Sequence, residues 1–190
     1  MNRKFFFLLL ISLWFLMIFS YVVYKEFSLR FGTEVTLKVV PVDPRDIFRG
    51  DYVILTYEIS EVSPEQKILF DDSFYGETNL YSGDTVYVEL IKDGNFHKGG
   101  NIYTAKPAKG LFIKGKIQTN QRNFDLINNI ETIIYGIENY FVPEDEGKAL
   151  EDARNRDRVS AAVSVNRYGT ASLKNLYIDD KKVDFKNKNE

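Results

Sequence analysis

The chain has no cysteine and one histidine, His97, among its 190 residues. The first absence excludes disulfides, thiolate metal sites and cysteine nucleophiles, and the second excludes any cluster of imidazole ligands. An excess of one charge is lacking too. Lys and Arg number 25 against 27 Asp and Glu, a formal charge of −2 that leaves no electrostatic footprint for nucleic acid. Proline is scarce at five, and two of these, Pro41 and Pro44, fall in one short stretch. No internal repeat and no low-complexity linker is present. What the chain does have is 44% apolar and 15% aromatic residues. That suffices for a packed domain in the roughly 160 residues that follow a separate N-terminal segment.

That segment, Phe5 to Val23, is nineteen residues without a charge, fourteen of them Leu, Ile, Phe or Val. As a helix rising 1.5 Å per residue it reaches about 28 Å, close to a hydrocarbon core of roughly 30 Å. Transfer of its aliphatic and phenyl side chains favours insertion by roughly 4 to 8 kcal/mol. Ser12 and Ser20 are tolerated, since a helical hydroxyl bonds a carbonyl one turn back. Tyr21 and Tyr24 suit the far interface. A cleaved signal peptide has a shorter apolar stretch and a small-x-small cleavage site, whereas this run ends Tyr-Val-Val-Tyr-Lys-Glu. Residues 1–30 therefore read as an uncleaved signal anchor with its juxtamembrane segment. Arg3, Lys4 and the terminal amine on one side, against Lys25, Glu26 and Arg30 on the other, orient it with the N-terminus cytoplasmic. The expectation is a single-pass protein of the cell membrane with its C-terminal domain outside. The lack of cysteine suits an extracytoplasmic location.

Residues 31–180 read as one β-rich domain, with a possible subdivision near 122–129, and 181–190 as a charged tail. Period-two alternation places Val35, Leu37 and Val39 on one face of Glu34–Val40, and Val53, Leu55, Tyr57 and Ile59 on one face of Tyr52–Ile59. A two-stranded meander joined by the proline-containing loop follows. Thr85–Lys92, Ile102–Thr104, Leu111–Gln118 and Glu131–Tyr135 are further strands. Asp93-Gly94 signals a hairpin, because glycine accepts the positive φ of a primed turn. Val159–Val165 and Thr170–Ile178 form a last hairpin around Asn166–Gly169. One soluble helix is predicted over Glu144–Asn155, acidic at its start and followed by arginines, with Lys148 opposite Asp152 and an apolar face of Ala149, Leu150 and Ala153. The fold class is mainly β (β-rich α+β): an N-terminal transmembrane helix, then antiparallel sheets with one short helix.

Few residues carry chemistry. Asp43, Arg45, Asp46, Arg49 and Asp51 are crowded together, but an arginine near each acid keeps it ionised and suits ion pairing or turn capping rather than proton transfer. Asp71, Asp72, Glu77 and Asp84 could offer oxygens to calcium, yet lack the spacing of a calcium loop. His97, beside Lys98, reads as an exposed turn residue. Ser63, Ser73 and Ser82 lack the context of a nucleophile elbow, although a serine–lysine dyad with Lys67, Lys92 or Lys98 stays open. Gly94, Gly99 and Gly100 do not form a phosphate loop. Arg49-Gly50-Asp51 matches the adhesion tripeptide but makes sense as a strand-initiating turn. Phe70, Phe74, Tyr75 and Tyr81 could line a glycan groove; aromatics in strands more often serve the core. No catalytic, cofactor or metal residue is assigned.

Gly50-Asp51-Tyr52-Val53-Ile54-Leu55-Thr56-Tyr57 matches GDYxxLxY at every specified position. With Pro41-Val42-Asp43-Pro44-Arg45 upstream and Arg49 at the turn, it resembles the family of bacterial membrane-anchored proteins named for that octapeptide. Tyr135-Gly136-Ile137-Glu138 with Tyr140-Phe141-Val142-Pro143-Glu144 is similar to a second block of the family. The likeness runs from about Val35 to Ile178. It implies a membrane-associated domain and a multi-span membrane protein as partner, and it supplies no reaction. Within the motif, Gly50 permits a tight entry and Asp51 can accept backbone amides, while Tyr52 lies on one sheet face and Leu55 and Tyr57 on the other. The motif is thus either a fold signature or a partner surface. The leading expectation is a non-enzymatic accessory or sensor subunit of a membrane or envelope assembly. A cell-wall or glycan-binding module and a membrane-anchored hydrolase are the alternatives.

Overall fold

The computed structural model describes residues 3–40, 52–70, 80–118, 132–142, 150, 153, 156 and 158–183. A single helix, α1 (Arg3–Phe31), opens the chain and runs 29 residues without proline or glycine to break it. Its described side chains from Phe7 to Val23 are all exposed, Trp14 at 71% and Phe15 at 74% among them. The apolar surface therefore goes round the helix and does not form the single stripe of a helix packed on a soluble core. The transmembrane expectation needs a correction: among the described residues no helix is long and apolar enough to cross a membrane.

Among the described residues, the remainder forms twelve strands: β1 (Thr33–Val40), β2 (Tyr52–Ile54), β3 (Thr56–Tyr57), β4 (Ile68–Leu69), β5 (Thr85–Asp93), β6 (Phe96–Tyr103), β7 (Phe112–Gln118), β8 (Thr132–Ile134), β9 (Asn139–Phe141), β10 (Val159–Val165), β11 (Ala171–Ile178) and β12 (Lys181–Lys182). They form a five-stranded sheet in the order β12-β11-β10-β1-β3, a second in the order β4-β6-β5-β7-β8, and the two-stranded pair β2-β9. All ladders are antiparallel except β4 with β6. The fold is mainly β, and Leu150 and Ala153 belong to a short helix whose apolar face is buried. The rest of the expected Glu144–Asn155 helix, and the possible boundary at 122–129, lie outside the described residues.

Alternation does what the sequence pattern predicts. Val35, Leu37 and Val39 of β1, Val86, Val88 and Leu90 of β5, and Val53, Leu55, Tyr57 and Ile59 are buried in one continuous core shared by both sheets. The Asp93-Gly94 turn joins β5 to β6, with Gly94 at φ +60°. Three differences are instructive. The expected strand Tyr52–Ile59 is broken into β2, β3 and a 3₁₀ turn over Glu58–Ser60. β1 meets it only at Val39↔Tyr57 and Val40↔Thr56, and pairs at length with β10 instead. β6 starts at Phe96, so His97, Gly99 and Gly100 are strand residues. Finally, Lys181 and Lys182 pair with Ile178 and Tyr177 across a two-residue turn, Asp179 (φ +48°) and Asp180 (φ +63°), so the expected tail begins as a strand.

Candidate functional site

The described parts of the two family blocks meet. β2 pairs with β9 as Tyr52↔Phe141, Val53↔Tyr140 and Ile54↔Asn139. One step further along, the Leu55 N–H donates to the Glu138 carbonyl at 2.7 Å. The Tyr57 hydroxyl donates to the Ile137 carbonyl at 2.7 Å, and the Tyr135 hydroxyl to the Ile59 carbonyl at 2.6 Å. Each tyrosine thus satisfies the carbonyl two residues beyond the other, and both rings are buried. Burial, reinforced by the nearby Glu138 carboxylate, pushes both phenols well above their ordinary value. They are neutral hydrogen-bond donors, as the two carbonyls require.

Glu138 is spent inside the same unit. Its carboxylate accepts the N–H groups of Tyr135 at 2.5 Å and Gly136 at 2.8 Å, closing a turn in which Gly136 has φ +80°. Gly115 of β7 leaves room for this arrangement: a Cβ there would stand 2.4 Å from Ile133 Cγ2 and 3.0 Å from the Tyr135 ring. Leu55 is wholly buried. Tyr140 is half-buried against the core, and Phe141 is exposed. The backbone of Tyr52 is placed by β2, but its side chain lies outside the described residues. So do Pro41, Asp43, Pro44, Arg45, Arg49, Gly50, Asp51, Pro143 and Glu144.

A signal for this clasp was available. Tyr57-Glu58-Ile59 and Tyr135-Gly136-Ile137 are both Tyr-x-Ile, and the acceptor is the Ile carbonyl in each. The repeat is too short to name its own partner.

Beside the 3₁₀ turn lies a groove of about 630 Å³, lined by Glu58, Glu61, Ser63, Gln66, Lys98 and Asn101 among others. Gln66 bridges it, accepting from Ser63 N–H at 2.8 Å and donating to the Gly100 carbonyl at 2.8 Å. Ser63 and Lys98 share this groove, the pairing a serine–lysine dyad would need. Lys98 is 2.6 Å from Asp93, whose hydrogen bond and charge raise the ammonium above its usual range. Held protonated in this way, it is a poor base for a serine hydroxyl.

His97 is not the exposed turn residue expected. It is half-buried on β6, where Nδ1 accepts the Thr36 N–H at 3.3 Å. β1 has an open edge there because β3 is too short to pair with it, and the imidazole from the second sheet caps it. Of the expected calcium oxygens, Asp84 instead accepts the Tyr81 N–H at 2.8 Å, and Asp71, Asp72 and Glu77 lie outside the described residues. Among the described residues no three acids or histidines converge on a metal position. Of the aromatics considered for a glycan groove, Phe70 packs on the core and Tyr81 is 47% exposed, while Phe74 and Tyr75 lie outside the described residues.

A helix with an all-round apolar surface leading into a mainly β domain, closed by a tyrosine clasp between two motif blocks, defines the class. The GDYXXLXY protein family matches residues 14–176, which include the end of α1, every β strand up to β10 and most of β11. The chain belongs to that family. No curated protein and no solved structure matches it.

Proposed function

We propose that the protein is anchored to a membrane through α1 and serves as a non-enzymatic accessory or sensor subunit of a membrane or envelope assembly. The observation that carries the anchor is the apolar surface of α1, exposed on all sides from Phe7 to Val23. In water every uncovered apolar side chain of such a surface costs free energy, and a bilayer relieves that cost. Phe5 and Phe6 extend the uncharged run to nineteen residues in the sequence. The short basic N-terminus favours a cytoplasmic end, with the β domain on the other side. The non-enzymatic reading is supported by how the motif acid and tyrosines are used: Glu138, Tyr57 and Tyr135 are committed to backbone partners. The partner expected is a multi-span membrane protein.

The hydrolase alternative is weakened by the Asp93–Lys98 pair. The glycan-binding alternative gains no support from the groove at Glu58–Gln66, whose described lining residues include no aromatic for a sugar to stack on.

Trp14, the single tryptophan, is a natural reporter. With full-length protein in vesicles, nitroxides on the acyl chains quench Trp14 if α1 sits in the bilayer; emission unaffected by such lipids rejects the anchor. Crosslinking in intact cells followed by mild-detergent purification tests the accessory role. Recovery of one multi-span protein in fixed proportion is the expected result. Turnover of a substrate by the purified full-length chain alone would reject it.

A further inference from the structure

The strand register decides which end of the β domain lies beside the end of α1. β1 follows α1 directly, and its first residue, Thr33, pairs with Val165, the last of β10. The β10–β11 turn, Asn166 to Thr170, therefore projects at the helix end of the sheet. It is a rigid tip. Asn166 Oδ1 accepts the N–H groups of Tyr168 at 2.9 Å and Thr170 at 3.1 Å, and the Gly169 carbonyl accepts the Lys114 N–H of β7 at 2.8 Å. Gly169, at φ +81°, packs so closely on Phe112 that a Cβ would lie 3.0 Å from its ring.

On this tip Tyr168 is 46% exposed with two cations on its ring, Lys106 Nζ at 4.9 Å and Arg167 Cζ at 4.8 Å from the centroid. Arg167 also donates to the Tyr168 hydroxyl at 2.7 Å. Lys114 and Lys116, both exposed on β7, line a groove of about 480 Å³ together with Thr170. Among the described residues none of these four cations is in a salt bridge. Glu34, the acid on β1 at the same end, is taken by Lys174 at 2.7 Å.

Two cations on the ring of an exposed tyrosine and two more on β7 beside the tip, none of them in a salt bridge among the described residues, match the chemistry of an anionic bilayer surface. The ring suits the boundary between headgroups and acyl chains, and the cations suit phosphates. We propose that Tyr168, Arg167, Lys106, Lys114 and Lys116 form a docking surface for anionic phospholipid headgroups that seats the β domain on the membrane. The proposal rests on the reading of α1 as a bilayer anchor. Attraction of this kind decays within roughly 8 Å at physiological salt, so only a corner next to the anchor can use it.

The cysteine-free chain accepts one reporter: full-length Thr170→Cys carrying an environment-sensitive fluorophore, in vesicles of phosphatidylcholine alone or mixed with phosphatidylglycerol. Each basic group at an anionic surface raises the docked-to-undocked ratio about fivefold, so Lys106→Glu/Arg167→Glu lowers it by about 25-fold or more. Quenching of the tip by headgroup nitroxides that needs phosphatidylglycerol, and is lost at high salt and in that variant, supports the surface. Lys114→Gln/Lys116→Gln, at exposed strand positions, gives the same reading should the first pair impair folding. Tip quenching that is equal in both lipids, or unchanged in the variants, overturns the docking surface, including the case where a protein partner occupies it. Trp14 quenching by acyl-chain nitroxides in the same vesicles separates the two readings. If Trp14 is quenched and the tip is not, the anchor stands and the docking surface falls; if neither is quenched, both fall.

Discussion

Tyr57 and Tyr135 are reciprocal: each donates its hydroxyl to the backbone carbonyl two residues downstream of the other, Ile137 and Ile59, at 2.7 and 2.6 Å. The partners are 80 and 76 residues apart in sequence, so the bonds tie together distant parts of the chain. A family motif that ends in tyrosine therefore has a physical job inside the fold.

Removing either hydroxyl leaves a buried carbonyl unsatisfied. Tyr57→Phe and Tyr135→Phe are each expected to lower unfolding free energy by about 1 to 3 kcal/mol. Because both bonds fix the same pair of segments, the double variant should depart from the sum of the singles by at least about 0.5 kcal/mol. Urea titration of the three variants checks this. Additivity within error would mean the two bonds act independently.

The same phenols make the protein sensitive to alkali. Their ordinary value is 10.0, and burial first, the Glu138 charge second, raise both in the folded state. Folded chains keep protons that unfolded chains release above pH 10. The contribution to stability is whole below pH 10 and declines as the pH rises past it, by about 1.4 kcal/mol per pH unit for each tyrosine. Urea titrations stepped upward from pH 10 should show this slope, and Tyr57→Phe/Tyr135→Phe should remove about 2.7 kcal/mol per unit of it.

Glu138 holds the turn that presents Tyr135. Glu138→Ala strips two N–H groups of their acceptor and is expected to cost about 1 to 2 kcal/mol, while Glu138→Gln, which keeps one acceptor oxygen, costs less. Thermal unfolding ranks the pair. Equal stability of Ala and Gln variants would argue that the carboxylate is not capping these amides.

Gly115 is required for space, not for backbone conformation. A methyl group there meets Ile133 and the Tyr135 ring, so Gly115→Ala should destabilise by about 1 to 3 kcal/mol through overpacking. Ile133→Leu in the Gly115→Ala background should recover part of the loss, because it removes the Cγ2 methyl that the added group meets; unfolding midpoints of the two variants decide.

His97 caps an open strand edge through Nδ1. His97→Ala should cost about 1 kcal/mol, and His97→Asn, which retains an acceptor, less. Amide hydrogen exchange at Thr36 reads the bond directly, with faster exchange expected in the alanine variant.

Much of the architecture was legible in the sequence. The stripes Val35/Leu37/Val39 and Val53/Leu55/Tyr57/Ile59 were read from alternation and are buried, because a strand half in the core must place one side of its pleat there. Asp93-Gly94 and the turn at Asn166–Gly169 were likewise local, each written in residues that tolerate a turn. His97 was misjudged for the opposite reason. It follows the Asp93-Gly94 turn and reads as part of it, yet β6 begins at Phe96 and uses Gly99 where a Cβ would strike Gln66 Nε2 at 2.7 Å and Gly100 where one would strike Ile91 and Glu89. Glycine in a strand marks close approach by another element, and the sequence does not say which.

The uncharged run of α1, the positions of β1, β5, β7, β8, β10 and β11, and the inward faces of β1 and β5 were determined by the sequence alone, since each follows from residues within a few positions of one another. The tertiary structure decided that β1 pairs with β10 and not chiefly with its neighbour, that β2 finds β9, and that two tyrosines exchange bonds across the clasp. Hydrophobic alternation states that a face must be covered but not by what. The partner is chosen by which distant segments fill the space and satisfy each other's carbonyls once the loops between them have closed.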